Sequence, residues 1–259
     1  MDPLYTFSGF AVGVIVGLTG VGGGSLMTPL LVLLFGIHPA TAIGTDLLYA
    51  AFTKAGGTVA HARQGHVEWR VTRLLAAGSI PAAALTILAL SQLPPRSPAM
   101  TQTLSVALGI ALFFTAAAIL FGRRLRDYAA RRGNDTAGRA PATARNTVIV
   151  GAIIGILVSI SSVGAGALGV AALYFLYPQL APKQIVGSDV AHAVPLTLVA
   201  GLGYWWMGNI DWNLLGALLI GSLPGIWIGS RISSKVPEHL LRRLLGTMLV
   251  LVGAKLISA

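Results

Sequence analysis

The sequence predicts an all-α polytopic membrane protein built from two inverted repeats. Of its 259 residues, 55% are hydrophobic and only 10% are charged, whereas soluble proteins carry about 25% charged residues. Its apolar stretches are long, and about 20 helical residues suffice to cross a bilayer. The second half of the chain also repeats the first. These three observations together favour a duplicated membrane protein over a soluble domain.

The duplication is visible in short motifs. Gly44-Thr45-Asp46 corresponds to Gly187-Ser188-Asp189 at an offset of 143 residues, and the glycine-rich stretch 21–24 corresponds to 163–166 at an offset of 142. Two further pairs complete the set: 65–69 with 208–212, and 78–81 with 221–224. Duplicated segments inside the membrane are typical of secondary transporters.

Run length predicts four helical segments in each half. The first of each, 5–35 and 147–177, is interrupted by glycines, which cost about 1 kcal/mol each in a helix interior. We therefore predict a hairpin or re-entrant segment whose glycine turn is buried in protein, because irregular backbone is not tolerated in lipid. The other segments are predicted at 40–62, 71–93, 100–122, 184–207, 213–230 and 241–258.

The distribution of basic residues predicts the orientation. Cytoplasmic loops of membrane proteins are enriched in Lys and Arg. The connector 62–73 carries three arginines and its equivalent 208–213 carries none, whereas 230–243 carries four basic residues and its equivalent 91–99 only one. Placing 62–73, 123–146 and 230–243 in the cytoplasm satisfies this bias. The two halves then have inverted topology, and both termini face outward.

The chain divides into an N-terminal transmembrane repeat (1–122), a basic cytoplasmic linker (123–146) and a C-terminal transmembrane repeat (147–259). The linker region contains seven of the 18 Lys and Arg residues, and we expect it to lie near anionic lipid. No basic face with regularly interleaved aromatic residues accompanies this charge, so nucleic-acid binding is not expected despite a net charge of +10. The absence of cysteine excludes disulfides and thiolate metal sites. We expect no cofactor and no metal.

Ionisable residues inside the apolar segments are the first candidates for function. Such a group costs roughly 2.5–3.5 kcal/mol at a helix centre, so it normally faces a cavity or a partner. Asp46 and Asp189 occupy equivalent positions, each after a hydroxyl residue, and His192 lies one turn beyond Asp189. We predict that these residues carry protons or line the pathway. Alternatively, each aspartate caps a helix start by accepting backbone N–H groups.

Lys54 is a further pathway candidate. It lies eight residues beyond Asp46, about 80° round the helix, and so does not share the face of that aspartate. It either supplies a counter-charge for an anion or extends to the membrane interface.

The two glycine turns are the candidate substrate-binding elements. Backbone N–H groups at the start of the helix after each turn lack intrahelical partners and carry the positive end of the helix dipole. Two turns meeting near the midplane would present N–H groups and hydroxyls to an anionic substrate. The predicted binding residues are Gly22, Gly23, Gly24, Ser25, Thr45, Ser161, Ser162, Gly164, Gly166 and Ser188.

These motifs resemble the TauE/SafE sulfite exporter family of membrane permeases. The resemblance rests on the glycine-rich stretch 20–24 followed by Pro29, on Gly44-Thr45-Asp46 and on 65–69, and it covers essentially the whole chain. It is weaker at the second turn, where Ala165 interrupts the glycines. The resemblance implies movement of a sulfur-containing anion, such as sulfite or sulfoacetate, across the bacterial inner membrane without ATP.

We therefore expect a secondary transporter that works by alternating access around the two turns, coupled to protons, as a monomer or homodimer. Independently of the resemblance, the net positive charge of the chain and the lysine in an apolar segment favour an anionic substrate. A passive anion channel and a cation or metal transporter remain alternatives. An enzyme is not expected: two aspartates could form a proteolytic dyad, but Gly187-Ser188-Asp189 lacks the Gly-x-Gly-Asp pattern of intramembrane proteases.

The inverted topology can be tested with single cysteines, because the chain contains none. A cysteine placed within 65–68 should react with a membrane-impermeant maleimide only from the cytoplasmic side. A cysteine within 208–211 should react only from the outer side. Labelling of both positions from the same side would contradict the inverted arrangement.

Overall fold

A computed structural model describes residues 3–19, 24–94, 97–132, 140–232 and 237–258. Ten α-helices and no strands are found in this part of the chain. The helices are α1 (Pro3–Thr19), α2 (Gly24–Leu33), α3 (Pro39–Arg63), α4 (Trp69–Leu90), α5 (Pro98–Arg132), α6 (Ala140–Ser161), α7 (Ala167–Leu176), α8 (Pro182–Trp206), α9 (Trp212–Ile232) and α10 (Glu238–Ser258).

Half of the described helices have the length and composition of membrane spans. Five contain an apolar stretch long enough to cross a bilayer: α4, α6, α8, α9 and the Pro98–Gly122 part of α5. Large apolar side chains also face outward, among them Phe114, Leu223 and Leu251. In water such a surface would be unfavourable, whereas in lipid it costs nothing. The predicted class, an all-helical multi-pass membrane protein, is confirmed.

The helices α2 and α7 are short. Each has 10 residues, and at 1.5 Å per residue each is about 15 Å long, half the thickness of the hydrocarbon core. Between α6 and α7 the chain leaves helical geometry, with positive φ angles at Ser162, Gly164 and Gly166. The first glycine turn, at 20–23, lies outside the described residues.

The helices α5 and α6 extend into the predicted linker. Helix α5 continues ten residues past 122, to Arg132, and α6 begins at Ala140. The Arg-, Leu- and Ala-rich composition after Gly122 explains this extension, because these residues have high helix propensity. Residues 133–139 lie outside the described part of the chain.

Helices from different halves pack closely as two equivalent pairs, α1 with α9 and α4 with α6. Small residues allow this: a Cβ added at Gly9 would lie 2.7 Å from the Leu218 carbonyl oxygen, and one at Gly13 would lie 2.5 Å from that of Ser222. In the other pair, Gly155 lies directly against the backbone of Ser79. Glycines spaced four apart thus mark close backbone packing.

Helices α3 and α8, which occupy equivalent places in the two halves, pack against each other in antiparallel fashion. Gly44 lies against Tyr204, Gly201 lies against Leu48, and Gly57 contacts Val190. Positions later in α3 therefore contact positions earlier in α8, as antiparallel packing requires. The equivalent pair α5 and α10 behaves in the same way, since Gly109 faces Gly253 and Gly246 faces Leu120.

Candidate functional site

The two intramembrane aspartates lie two turns inside their helices. Helix α3 begins at Pro39 and is capped by His38, whose Nδ1 accepts a hydrogen bond from the Ala40 N–H at 3.3 Å. Helix α8 begins at Pro182. Asp46 and Asp189 are 0% and 1% exposed. Neither aspartate therefore caps the start of its helix, and both carboxyl groups are inside the protein.

The antiparallel packing separates the two carboxyl groups. Because Gly44 faces Tyr204 and Leu48 faces Gly201, Asp46 lies level with about residue 202. That position is about 20 Å along the helix axis from Asp189. A proteolytic dyad requires two carboxylates within a few ångströms of each other. The arrangement of α3 and α8 therefore does not provide a shared-proton dyad.

Asp46 accepts hydrogen bonds from two hydroxyl groups that belong to other segments of the chain. Its Oδ2 accepts hydrogen bonds from Thr28 of α2 at 2.5 Å and from Ser162, just after α6, at 2.9 Å. Its Oδ1 has no hydrogen-bond partner in the described part of the chain. Hydrogen bonds to a charged acceptor are worth about 1.5–3 kcal/mol each. The carboxyl group therefore connects α2, α3 and the second turn.

Lys54 reaches into the second turn instead of the membrane interface. Its Nζ donates a hydrogen bond of 2.7 Å to the Ala165 carbonyl oxygen. It also interacts electrostatically with Asp189 and Asp46. The lysine side chain thus lies between two acids, and its amino group faces the turn that precedes α7.

Asp189 has surroundings unlike those of Asp46. Its Oδ1 occupies the space that a Cβ at Gly169 of α7 would fill. Neither carboxyl oxygen has a hydrogen-bond partner among the described residues. Leaving a buried polar group unpaired costs about 1–3 kcal/mol, and more for a charged group. Asp189 is therefore a poorly compensated acid.

The three ionisable residues contact the second turn and α7 in chain order. Ser162 bonds Asp46, Ala165 bonds Lys54, and Gly169 packs on Asp189. A stretch of eight residues thus faces two carboxyl groups and one amino group.

The backbone of the second turn adopts angles that favour glycine. The φ angles of Gly164 and Gly166 are 114° and 138°, which side chains other than hydrogen rarely allow. The N-cap of α7 is Gly166, and no side chain caps the helix. Ser161 instead turns inward, where its Oγ donates to the Leu157 carbonyl oxygen at 2.5 Å and accepts from the Val163 N–H at 3.1 Å.

Two predicted hydroxyl residues join the halves in a reciprocal manner. Thr45 Oγ1 accepts a hydrogen bond from the Asp211 N–H at 3.2 Å, and Ser188 Oγ accepts one from the Glu68 N–H at 2.8 Å. Each residue of the first pair lies 143 positions from its equivalent in the second. The hydroxyls of Thr45 and Ser188 thus hold connecting loops in place, a role that differs from the predicted substrate contact.

A second reciprocal pair lies one turn further along each helix. His192 Nε2 is 2.7 Å from Ser79 Oγ of α4. At the equivalent positions, Tyr49 lies beside Ser222 of α9, but its hydroxyl does not reach hydrogen-bond geometry. The two halves therefore share an architecture but differ in chemistry, with an imidazole on one side and a phenol on the other.

The structure describes the first turn only in part. Gly22 and Gly23 lie outside the described residues, Gly24 begins α2, and Ser25 is buried in its first turn. In the part of the chain that the structure covers, no three His, Cys, Asp or Glu side chains gather as a possible metal site.

Sequence analysis missed four partners of the site. Ser79 belongs to the repeated 78–81 motif, so pairing that motif with the Asp-containing motif could have indicated it. Thr28, the Ala165 carbonyl group and Gly169 carry no comparable signal, because their roles depend on how α2 and α7 pack.

Thr28→Val removes one donor from Asp46 with almost no change in shape, so the variant should lose about 1–3 kcal/mol of stability. Thr115→Val is the matched control, because the Thr115 hydroxyl is buried without a partner in the described chain, and its loss should be neutral or stabilising. Thermal unfolding of both purified variants in one detergent measures the difference. Equal melting temperatures would contradict a stabilising bond to Asp46.

Comparison with known proteins agrees with this architecture. The family model described as sulfite exporter TauE/SafE matches residues 5–256.

The chain is similar to the probable membrane transporter proteins YjnA and YdhB of Bacillus subtilis (strain 168). It is 37% identical to the first over 96% of this chain and 97% of that protein, and 28% identical to the second over 90% and 91%. A probable membrane transporter protein of Xylella fastidiosa (strain 9a5c) is 26% identical over 95% and 91%. No solved structure matches at a significant level. The chain belongs to the TauE/SafE family of membrane transport proteins.

Proposed function

We propose that this protein is a proton-coupled secondary transporter of a small sulfur-containing anion, such as sulfite or a sulfonate like sulfoacetate, in the bacterial inner membrane. The observation that carries the proposal is the broken helix between α6 and α7. The uncapped start of α7 lies next to Lys54, and two buried acids flank that lysine.

An anion at the start of α7 would find complementary charge. The helix dipole, unpaired N–H groups and the Lys54 ammonium all favour a negative ligand. Lys54 already uses the Ala165 carbonyl oxygen as its acceptor, so its amino group can exchange a neutral acceptor for the anion without leaving the turn. This supports a site that binds without holding its ligand irreversibly.

The inverted arrangement of the halves is supported by helix direction. The equivalent helices α3 and α8 run antiparallel, as do α5 and α10. Equivalent membrane-crossing helices of opposite direction are what an inverted repeat requires, since a parallel repeat would give them one direction. The short helices α2 and α7 are then re-entrant. Alternating access arises as one half moves against the other around the two glycine turns.

Proton coupling follows from the acids. An acid buried in a membrane segment is costly unless it has a function, and we assign proton uptake to Asp46, Asp189 or both. The transporter names of the relatives and the separation of the two carboxyl groups support a role without catalysis. Protons, the anion and lipid are the proposed partners, and nucleic acid is not.

Transport by the purified chain in liposomes tests this function. Labelled sulfite and sulfoacetate should enter faster than in empty liposomes, and an imposed pH gradient should change their rate. Unlabelled anion on the opposite side should accelerate entry, because a carrier exchanges its ligand and a passive channel does not. Absence of any flux would contradict the proposal, and flux without trans-acceleration would favour a channel.

Gly164→Val should abolish anion binding and leave a folded protein. The φ angle of 114° at Gly164 is unfavourable for valine, and its Cβ would lie 3.2 Å from Leu168. Gly65→Val is the matched control, because Gly65 also has a positive φ of 69° but has open space around it. Titration calorimetry with sulfoacetate compares the two. Normal affinity in a folded Gly164→Val protein would remove the second turn from the site.

A further inference from the structure

The two equivalent acids differ in the number of hydrogen bonds that they accept. Asp46 accepts two hydroxyl hydrogen bonds, and Asp189 accepts none from the described residues. We propose that Asp189 is the residue that binds and releases the coupled proton, whereas Asp46 is a positioning residue that holds α2 and the second turn on α3. This assignment rests on the proposed function and gives the two halves of the protein different tasks.

Asp46 is suited to a fixed role. Both of its donors reach the same oxygen, and they come from separate segments of the chain, Thr28 of α2 and Ser162 after α6. Hydroxyl donors replace the water that a carboxylate loses on burial, so the charged group is compensated inside the protein. A change of charge at Asp46 would weaken the connection of these segments to α3.

Asp189 is suited to a changing charge. It is 1% exposed, and on α7 it lies against a residue without a side chain, Gly169. A carboxylate without donors in a medium of low dielectric constant is costly, and a bound proton removes that charge. A Cβ at position 169 would overlap Asp189 Oδ1, so the carboxyl group would have to move. The carboxyl group of Asp189 thus lies against the first turn of α7.

The charged neighbours link this proton to an anion. The ionisable side chains around Asp189 include Lys54 of α3 and His192, one turn further along α8. His66 and Glu68 lie against Gly187 and Ser188 of the same helix, whereas α4 contributes the neutral Ser79 and α7 contributes Gly169. Asp46 lies earlier in α3, on the other side of Lys54. With both aspartates ionised, the single lysine charge is outweighed, and an incoming anion is repelled. With Asp189 protonated, Lys54 balances Asp46. A proton bound at Asp189 therefore raises the affinity of the protein for the anion, and a bound anion raises its affinity for the proton.

His192 is the competing proton carrier. Its Nε2 bonds Ser79, its Nδ1 has no partner in the described chain, and Tyr49 takes its place in the other half. An imidazole can change charge in the physiological range and a phenol does not. The proposal assigns His192 to the placement of α8 against α4, and the experiment below includes a variant that separates the two roles.

Infrared difference spectroscopy between acidic and alkaline pH tests the proton site without any substrate. The wild-type protein should give a protonated-carboxyl band, Asp46→Asn and His192→Gln should retain it, and Asp189→Asn should lose it. Loss of the band in Asp46→Asn with retention in Asp189→Asn would overturn the assignment. A wild-type protein without such a band would overturn it as well.

Sulfoacetate affinity against pH tests the linkage. Above about pH 6 both the sulfonate and the carboxylate of sulfoacetate stay ionised, so a change in affinity within that range reports the protein. Wild-type affinity should rise as the pH falls, by up to about tenfold per pH unit for one linked proton. Asp189→Asn should bind tightly with no pH dependence, and Asp46→Asn and His192→Gln should keep the slope. If the affinity of Asp189→Asn still depends on pH, the proposal is overturned. It is also overturned if the pH dependence is lost only in Asp46→Asn or only in His192→Gln.

Gly169→Ala provides a test in which Asp189 itself is kept. The added methyl group displaces the carboxyl group and should reduce the slope, whereas Gly56→Ala should not, because Gly56 has open space around it. An unchanged slope in a folded Gly169→Ala protein would contradict the contact. If wild-type protein binds neither sulfoacetate nor sulfite, the proposed substrate is wrong, and the infrared band alone still decides the role of Asp189.

Discussion

The antiparallel packing of α3 on α8 is the contact on which the other features of this protein depend. It is possible because small residues lie where the helices touch, as at Gly44 against Tyr204 and Gly201 against Leu48. Burial in this contact removes both aspartates from lipid, where an unpaired polar group is most costly. It also fixes Lys54 between them, within electrostatic reach of each.

A broken helix completes the arrangement. Backbone that leaves helical geometry must find partners inside the protein, and here the side chains of α3 meet the break: Asp46 accepts from Ser162, and Lys54 donates to Ala165. These bonds stabilise the break but also connect it to ionisable groups. A change of charge on α3 or α8 can thus affect the start of α7, the place that we propose for the substrate.

Much of the fold could be predicted from the sequence, because hydrophobic run length and the repeated motifs are local signals. The same signals identified Asp46, Asp189, Lys54 and His192 as ionisable groups in apolar segments. Their partners could not be predicted. Ser162 is 116 residues from Asp46, and Ala165 is 111 residues from Lys54. Such contacts depend on how complete helices pack. The boundaries of α5 and α6 in the structure also differ from the predicted ones, because residues with high helix propensity continue beyond the apolar stretch.

Disulfide cross-linking in native membranes tests the α3–α8 contact most directly, since the chain has no other cysteine. A Cβ at Gly57 would lie 3.5 Å from the Val190 side chain, so cysteines at these two positions should form a disulfide under mild oxidation. Cysteines at Leu48 and Val190 should not, because Leu48 faces Gly201, about 16 Å further along α8. Cross-linking of the second pair without the first would contradict antiparallel packing of α3 on α8.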